Sequence, residues 1–369
     1  MKVLFLTNIP APYRVDFFYE LGKLCDLTVL YELGSASDRN IKWKSSSSKS
    51  FKEIFLKGKR LSADSAICFS VIKYLKDTSY DIIVVGGYST PTGMLAIQYL
   101  KLKNRKFILN SDGGLIKECS GIKYKIKKYF ISSAIAWLST GESTNRYLLN
   151  YGADKNKIYI YPFSSIKDED ILDEPLTNEE KILIKKTLGV REQKIIISVG
   201  QFIYRKGFDI LISAMKYIEG DIGVYIIGGE PTEEYLELKD KYNLNNLHFE
   251  GFKTKEELKE YFKMSDLFVL PTREDIWGLV INEAMAYGLP VITTDRCVAG
   301  LELLNENECG QIIEVNNVEM LSDSIGKFLQ SYDDRKIISE KILKAAKKYT
   351  IENMASAHYN IFRKILYKN

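Results

Sequence analysis

Short apolar runs alternate along this chain with longer segments whose apolar positions recur every three or four residues. In the first half, residues 3–7, 27–31, 81–86, 107–110 and 134–138 are near-continuous apolar runs of strand length. Between the first two, residues 14–25 carry Val15, Phe18, Leu21 and Leu24 at helical spacing. Strands apolar on both faces, separated by helices, are the pattern of a parallel sheet covered on each side. The rhythm restarts with strands over Lys194–Val199, 224–227, 247–251 and Leu267–Leu270 and a helix over 208–217. Residues 167–180 are rich in Asp and Glu with little apolar pattern, which predicts a linker before a helix over 180–188. The pattern therefore predicts an α/β protein of two domains, residues 1–165 and 166–350, with a last helix over Ile351–Tyr367.

A length of 369 residues fits two domains of ordinary size, and 46% hydrophobic with 27% charged residues is a soluble, globular composition. The five cysteines, Cys25, Cys68, Cys119, Cys297 and Cys309, are scattered and form no Cys-x-x-Cys pair. That argues against a disulfide framework and structural zinc and fits a reducing compartment. The two histidines, His248 in a strand and His358, stand near no other metal-type ligand, which excludes a histidine triad or a His-rich metal site. Residues 1–6 read as a first strand rather than a signal peptide, and no apolar stretch reaches bilayer length. The expected location is cytoplasmic. A net charge of +4 is too mild to imply nucleic acid.

The chemistry concentrates in residues 271–292. Strand Leu267–Leu270 leads into an acidic loop, a helix over 278–287 carrying Leu279, Val280, Ala284, Met285 and Ala286, a stop at Gly288 and a new strand at Pro290. Open α/β sheets bind ligands beyond the carboxyl ends of their strands. A helix beginning near Gly278 offers free N–H groups and a positive dipole end to a diphosphate, and glycine allows close approach. Glu283, inside the helix, can accept two hydroxyls of a vicinal diol such as a ribose; Asp275, at the loop tip, can do the same for a sugar ring. In the first half, Asp112 of Asn110-Ser111-Asp112-Gly113-Gly114 is a carboxylate on a permissive loop, suited to approach a sugar.

Asp275 and Glu283 with seven residues between them, followed by Ala284-Met285-Ala286, Gly288 and Pro290-Val291, resemble the signature of glycosyltransferase family 4, retaining enzymes of the GT-B fold. The family has Glu where this chain has Asp275, one methylene shorter, and Glu274 is an alternative for that role. Residues 200–207 resemble the family's other landmark: Lys206 matches its phosphate-binding lysine. Gln201 stands where relatives often have Arg, which leaves Arg205 as the natural second cation. The resemblance implies two Rossmann-like parallel-sheet domains facing a central cleft, with the last helix crossing back onto the first. The donor would bind the second domain through Arg205, Lys206, Gly278, Leu279 and Glu283. Phe252 stands where relatives hold the base and reads equally as core or stacking platform. Relatives often have a histidine in the acceptor domain; here Asp112 is its substitute by position. Catalysis would then rest on Asp112, Lys206, Asp275 and Glu283.

The implied reaction moves a sugar from a nucleotide-diphosphate sugar, a UDP-sugar first, to a hydroxyl of a saccharide or lipid-linked acceptor in capsule or envelope polysaccharide synthesis. The alternatives are a non-catalytic nucleotide-sugar binding partner and a GT-B sugar-nucleotide epimerase. No Asp-x-Asp motif ends a strand, residues 168–170 read as solvated, and no essential metal or other cofactor is expected.

Three further segments carry open readings. Arg14, after a loop stiffened by Pro10 and Pro12, reads as a surface helix-start cation or a ligand-facing one. Residues 43–51, with four serines at 45–48, read as an acceptor loop or a tether. In residues 121–130, Ile122, Ile126, Tyr129 and Phe130 share a helical face expected to pack on the sheet. Lys123, Lys125, Lys127 and Lys128 form either a solvated basic side or a patch for anionic lipid, where each lysine contributes about 1 kcal/mol.

Overall fold

The apolar runs of the first half become strands β1 (Lys2–Thr7), β2 (Asp26–Tyr31) and β3 (Lys52–Phe55), the small antiparallel pair β4 (Lys59–Arg60) and β5 (Ala66–Ile67), and then β6 (Ile82–Val85), β7 (Ile108–Asn110), β8 (Ala136–Ser139) and β9 (Ile158–Ile160). Seven of them form a parallel sheet in the order β3-β2-β1-β6-β7-β8-β9. These coordinates come from a computed structural model, which describes residues 1–34, 50–116, 120–304, 309–330 and 335–367. The serine-rich loop at 43–49 and Cys119 lie outside the described residues. The chain divides into two units, Met1–Ser165 with Thr350–Asn369, and Ile166–Tyr349.

The helices of the first unit are α1 (Pro12–Leu24), α2 (Val71–Leu75), α3 (Pro91–Leu102), α4 (Gly121–Ile131) and α5 (Glu142–Asn150). Both α1 and α3 open on proline, whose missing N–H would have no helical partner there. The C-terminal helix Ile351–Tyr367 packs on α1 and buries Ile351, Met354, Ala355, His358, Ile361 and Phe362. That spacing of three and four is one helical stripe.

In the second unit the strands are β10 (Lys194–Val199), β11 (Ile222–Ile227), β12 (Leu247–Glu250), β13 (Leu267–Leu270), β14 (Val291–Thr294) and β15 (Gly310–Ile313). They form a parallel sheet in the order β12-β11-β10-β13-β14-β15. Helices α6 (Asn178–Leu188), α7 (Phe208–Met215), α8 (Glu233–Lys241), α9 (Lys255–Met264), α10 (Leu279–Ala286), α11 (Val298–Leu303), α12 (Val318–Gln330) and α13 (Arg335–Ala346) connect or cover them. Each sheet reverses its strand order once, at β1/β6 and at β10/β13. Loops leaving the carboxyl ends of those strands diverge there and open a crevice.

Three expectations from the sequence are corrected. The segment before α6 is not a free linker: Ile166 and Ile171 are buried, and the Leu172 N–H donates to Ala286 O at 3.0 Å. Nor is 168–170 simply solvated, because Asp170 accepts from Lys255 Nζ at 2.6 Å. Of the apolar face expected for α4, Phe130 packs against the core but the other three residues do not. Ile122 is 76% exposed, Ile126 and Tyr129 are exposed too, and Ile131 is the buried residue of the helix. Helical periodicity shows which residues share a face but not whether a neighbour covers it.

Candidate active site

In the second unit, the two loops at the β10/β13 switch point are stitched together by their own backbones. Thr272 Oγ1 and the Arg273 N–H both donate to Arg205 O, at 2.9 and 2.8 Å. Arg273 extends over the Tyr204 ring, donates to Tyr204 O at 2.7 Å and forks onto both carboxylate oxygens of Asp209, at 2.9 and 2.5 Å. Gly207, at φ +69°, lies so close to Pro271 O that a Cβ there would collide with it. The cationic and acidic loops are thus held in register.

This register brings Lys206 Nζ to 2.6 Å from Asp275 Oδ2, with the side chains 12% and 14% exposed. Arg205 Nη1 donates to Glu274 O at 2.7 Å and lies 3.6 Å from Asp275 Oδ1. The loop tip is therefore not Asp275 but Ile276, at 54% exposure, and Asp275 turns inward onto the cations. Its backbone is pinned between the Asp275 N–H to Arg296 O bond at 2.9 Å and the Val298 N–H to Asp275 O bond at 3.2 Å.

Three residues further on, Gly278 caps α10 at φ +102°. A side chain there would be strained by backbone conformation and would meet Cys297 Sγ at 2.7 Å. Burial and the Asp275 charge push the Cys297 thiol up to about 12, so it stays protonated. Buried Trp277 donates its indole N–H to Asn282 Oδ1 at 2.9 Å and ties the loop to the first turn of α10. The helix leaves Leu279, Val280, Glu283 and Tyr287 incompletely buried, which is one stripe along its length. Glu283 stands one turn beyond Leu279, about 6 Å along the axis. Phe252, after β12, is exposed rather than core.

Asp112 lies in the first unit, after β7. Arg14 of α1 bonds to its Oδ2, while Asn110 Nδ2 and Tyr161 OH donate to its Oδ1 at 2.6 and 3.0 Å. Arg14 is not a surface residue: its side chain is 4% exposed, against 33% for Asp112. Burial pulls the guanidinium down, but Asp112, Tyr13 and Tyr161 together raise it above its ordinary value. His358 of the C-terminal helix packs against Tyr161 and Phe17 with its ring tilted by 58° to each, centroids 4.3 and 4.6 Å away. Burial, with the Arg14 charge, pushes His358 down to about 3. It is therefore neutral, and its Nδ1–H donates to Met354 O at 2.8 Å.

Reading the motifs singly missed Arg273, Asp209, Tyr161 and His358. The helical spacing of 351, 354, 355, 358, 361 and 362 marks His358 as a core position. No signal pairs Arg273 with a carboxylate 64 residues away.

Glu32, at the carboxyl end of β2, was also missed. It accepts from Thr90 Oγ1 at 2.5 Å and is buried. Burial raises it from an ordinary 4.5 to about 7, against hydrogen bonds from Thr90, Ala66 and Thr92 that lower it. A raised folded-state value means a contribution to stability that is whole below 4.5 and lost as pH rises through about 7. The loss amounts to about 3 kcal/mol. Glu32→Gln is expected to remove this slope, so that the variant gains on the wild type between pH 4.5 and 7.5 in urea unfolding. Parallel curves would refute the assignment.

Two loops at a sheet's switch point thus present cations beside a glycine-started helix on a doubly wound α/β fold, an arrangement chemically able to meet an anion. Residues 179–345 match the family model for glycosyl transferases group 1. An uncharacterized glycosyltransferase of Methanocaldococcus jannaschii is 31% identical over 196 residues, 51% of this chain and 50% of that protein. The N,N'-diacetylbacillosaminyl-diphospho-undecaprenol alpha-1,3-N-acetylgalactosaminyltransferase of Campylobacter jejuni is 20% identical over 307 residues, 81% of each chain. Among solved structures, Anabaena HepE in complex with UDP superposes with a TM-score of 0.76 at 14% identity, covering 99% of this chain and 98% of that one. The likeness to the group 1 glycosyl transferases thus spans most of the second unit, and the chain as a whole has the GT-B fold of two parallel-sheet α/β domains.

Proposed function

We propose that this chain transfers a sugar, with retention at the anomeric carbon, from a UDP-sugar to a hydroxyl of a saccharide or lipid-linked acceptor in capsule or envelope polysaccharide assembly. The observation that carries the reading is the Lys206–Asp275–Arg205 cluster set beside the Gly278 cap of α10. Two cations, shared with the Asp275 carboxylate, and the first N–H groups of α10 lie there, the donor types that a diphosphate needs. They meet the charge that develops on the leaving group, the role that a metal fills in other designs, so no essential metal is invoked. Leu279 N–H belongs to the first turn of α10, and Glu283, on its partly exposed stripe, is assigned to the ribose hydroxyls. Exposed Phe252 is assigned to the base. Asp112, oriented by three donors, is assigned to the acceptor side.

The Campylobacter relative, named for a diphospho-undecaprenol acceptor, supports a lipid-diphosphate acceptor, and the HepE complex supports UDP. The test is a melting-temperature screen in EDTA against UDP-, GDP- and ADP-sugars. A donor present at 100 times its Kd is expected to stabilise by about 2.7 kcal/mol. Stabilisation by a GDP- or ADP-sugar instead would correct the base, and a flat response to all would remove the donor assignment.

We also propose that α4 rests on an anionic membrane surface. Ile122, Ile126 and Tyr129 form an exposed apolar stripe, with exposed Lys123, Lys125 and Lys128 along it. Among the described residues no helix is long and apolar enough to cross a membrane, so the contact would be interfacial. Three lysines at about 1 kcal/mol each amount to roughly a hundredfold in binding. Flotation with phosphatidylglycerol vesicles is expected to carry the wild type and leave Lys123→Glu/Lys125→Glu/Lys128→Glu behind. Equal recovery of both proteins, or recovery on pure phosphatidylcholine, would refute it.

A further inference from the structure

Lys206 and Arg205 are not held open for a diphosphate; Asp275 lies against both. We propose that Asp275 is an electrostatic release group, which loosens the nucleoside diphosphate product more than the nucleotide-sugar donor. This deepens the donor-site reading above and rests on it.

The charge argument follows the bonds. Transfer breaks the bond between the sugar C1 and the β-phosphate oxygen, and the electron pair stays on that oxygen. The acceptor oxygen bonds to C1 and gives its proton to solvent. The donor's β-phosphate is a diester with one charge. The product's is a monoester whose second ionisation lies near pH 6, so above that pH it carries one charge more. The new charge appears on the atom that held the sugar. On the donor-site reading the helix start at Gly278 receives the phosphates, and Asp275, three residues earlier with its carboxylate 2.6 Å from Lys206 Nζ, would face that charge.

Its pair with Lys206 is mostly withdrawn from water, where Coulomb terms are only weakly screened. A diphosphate drawn to Lys206 must therefore share the cation with a carboxylate, and the product, with its extra charge, is repelled more. The carboxylate cannot easily retreat, because hydrogen bonds to Arg296 O and from the Val298 N–H fix the Asp275 backbone on both sides. The same bonds keep the loop backbone in place when the side chain is replaced, since neither uses the carboxylate.

The experiment is calorimetric titration of UDP, with GDP and ADP in parallel, into wild type, Asp275→Asn and Lys206→Ala at pH 5.5 and pH 8.0. Asp275→Asn is expected to bind the diphosphate about tenfold tighter than wild type at pH 8.0 and about threefold tighter or less at pH 5.5. The pH-dependent part is expected to shrink in 0.5 M salt, roughly as the Debye length falls. A purely structural role for Asp275 would not track the ionisation of the ligand. The proposal is overturned, with the donor site intact, if Lys206→Ala weakens binding while Asp275→Asn binds no tighter or gains equally at both pH values. If wild type binds none of the three diphosphates, the donor-site reading falls and takes the proposal with it. Asp275→Ser serves as the replacement should the asparagine variant fail to fold.

Discussion

Replacing Lys206 with alanine is expected to lower kcat/KM by about 10²–10³-fold, the usual effect of removing one preorganised group facing charge that develops in the transition state. On the proposed reading this role falls on Lys206. Its ammonium is held at the β10/β13 switch point by a loop whose backbone is bonded to the loop of Asp275. Arg205 is the more exposed cation and already donates to Glu274 O, so Arg205→Ala is expected to cost about tenfold or less. Loss of Lys206 also leaves Asp275 with its more distant cation alone. Initial rates should therefore be compared at a temperature where circular dichroism shows both proteins folded. A fall in kcat/KM smaller than tenfold with the best donor would remove Lys206 from the reaction.

Asp112→Ala is expected to destabilise the first unit by about 3 kcal/mol, before any effect on turnover. The reason is Arg14, which is buried against Phe17, Tyr13 and Phe163 with Asp112 as its carboxylate partner. Removing one member of such a pair strands the other charge, and this costs more than the pair was worth. The low end of the usual range applies because Asp112 keeps a third of its surface in solvent. Asp112→Ala therefore mixes two losses. Arg14→Met with Asp112→Ala is expected to recover most of the stability but not the activity, since the charge is then gone from both sides. Urea unfolding of the two variants separates the terms. Equal stability of the single variant and the wild type would show that Arg14 does not depend on Asp112.

The central parallel strands were legible because each is an apolar run bounded by polar loops, with burial on both faces, whereas the partly exposed edge strands β3, β9 and β15 carry no such run and were not read. The α10 region was legible for a related reason. A glycine at positive φ, a helix of eight residues and a strand opened by proline are local constraints, and local constraints are written in neighbouring residues. The partners of those residues were not. Asp275 was expected at a loop tip reaching for a sugar, and it lies instead on Lys206, 69 positions earlier in the chain. Arg14 had two open readings, and only its burial, as a residue of the helix α1 on which the C-terminal helix packs, removed one of them.

The α4 stripe shows the same limit from the other side. Its spacing was correct and its environment was not, because Ile122 and Ile126 share a face that nothing in the sequence could declare covered or bare. The sequence by itself determined the α/β class, the repeated rhythm of strand and helix, and the glycine-started helix that carries Glu283. The tertiary structure decided which charges meet: Lys206 with Asp275, Arg14 with Asp112, Arg273 with Asp209. Periodicity and turn chemistry act over a few residues, whereas an ion pair needs only proximity in space, and the chain brings its distant loops together through the sheet order.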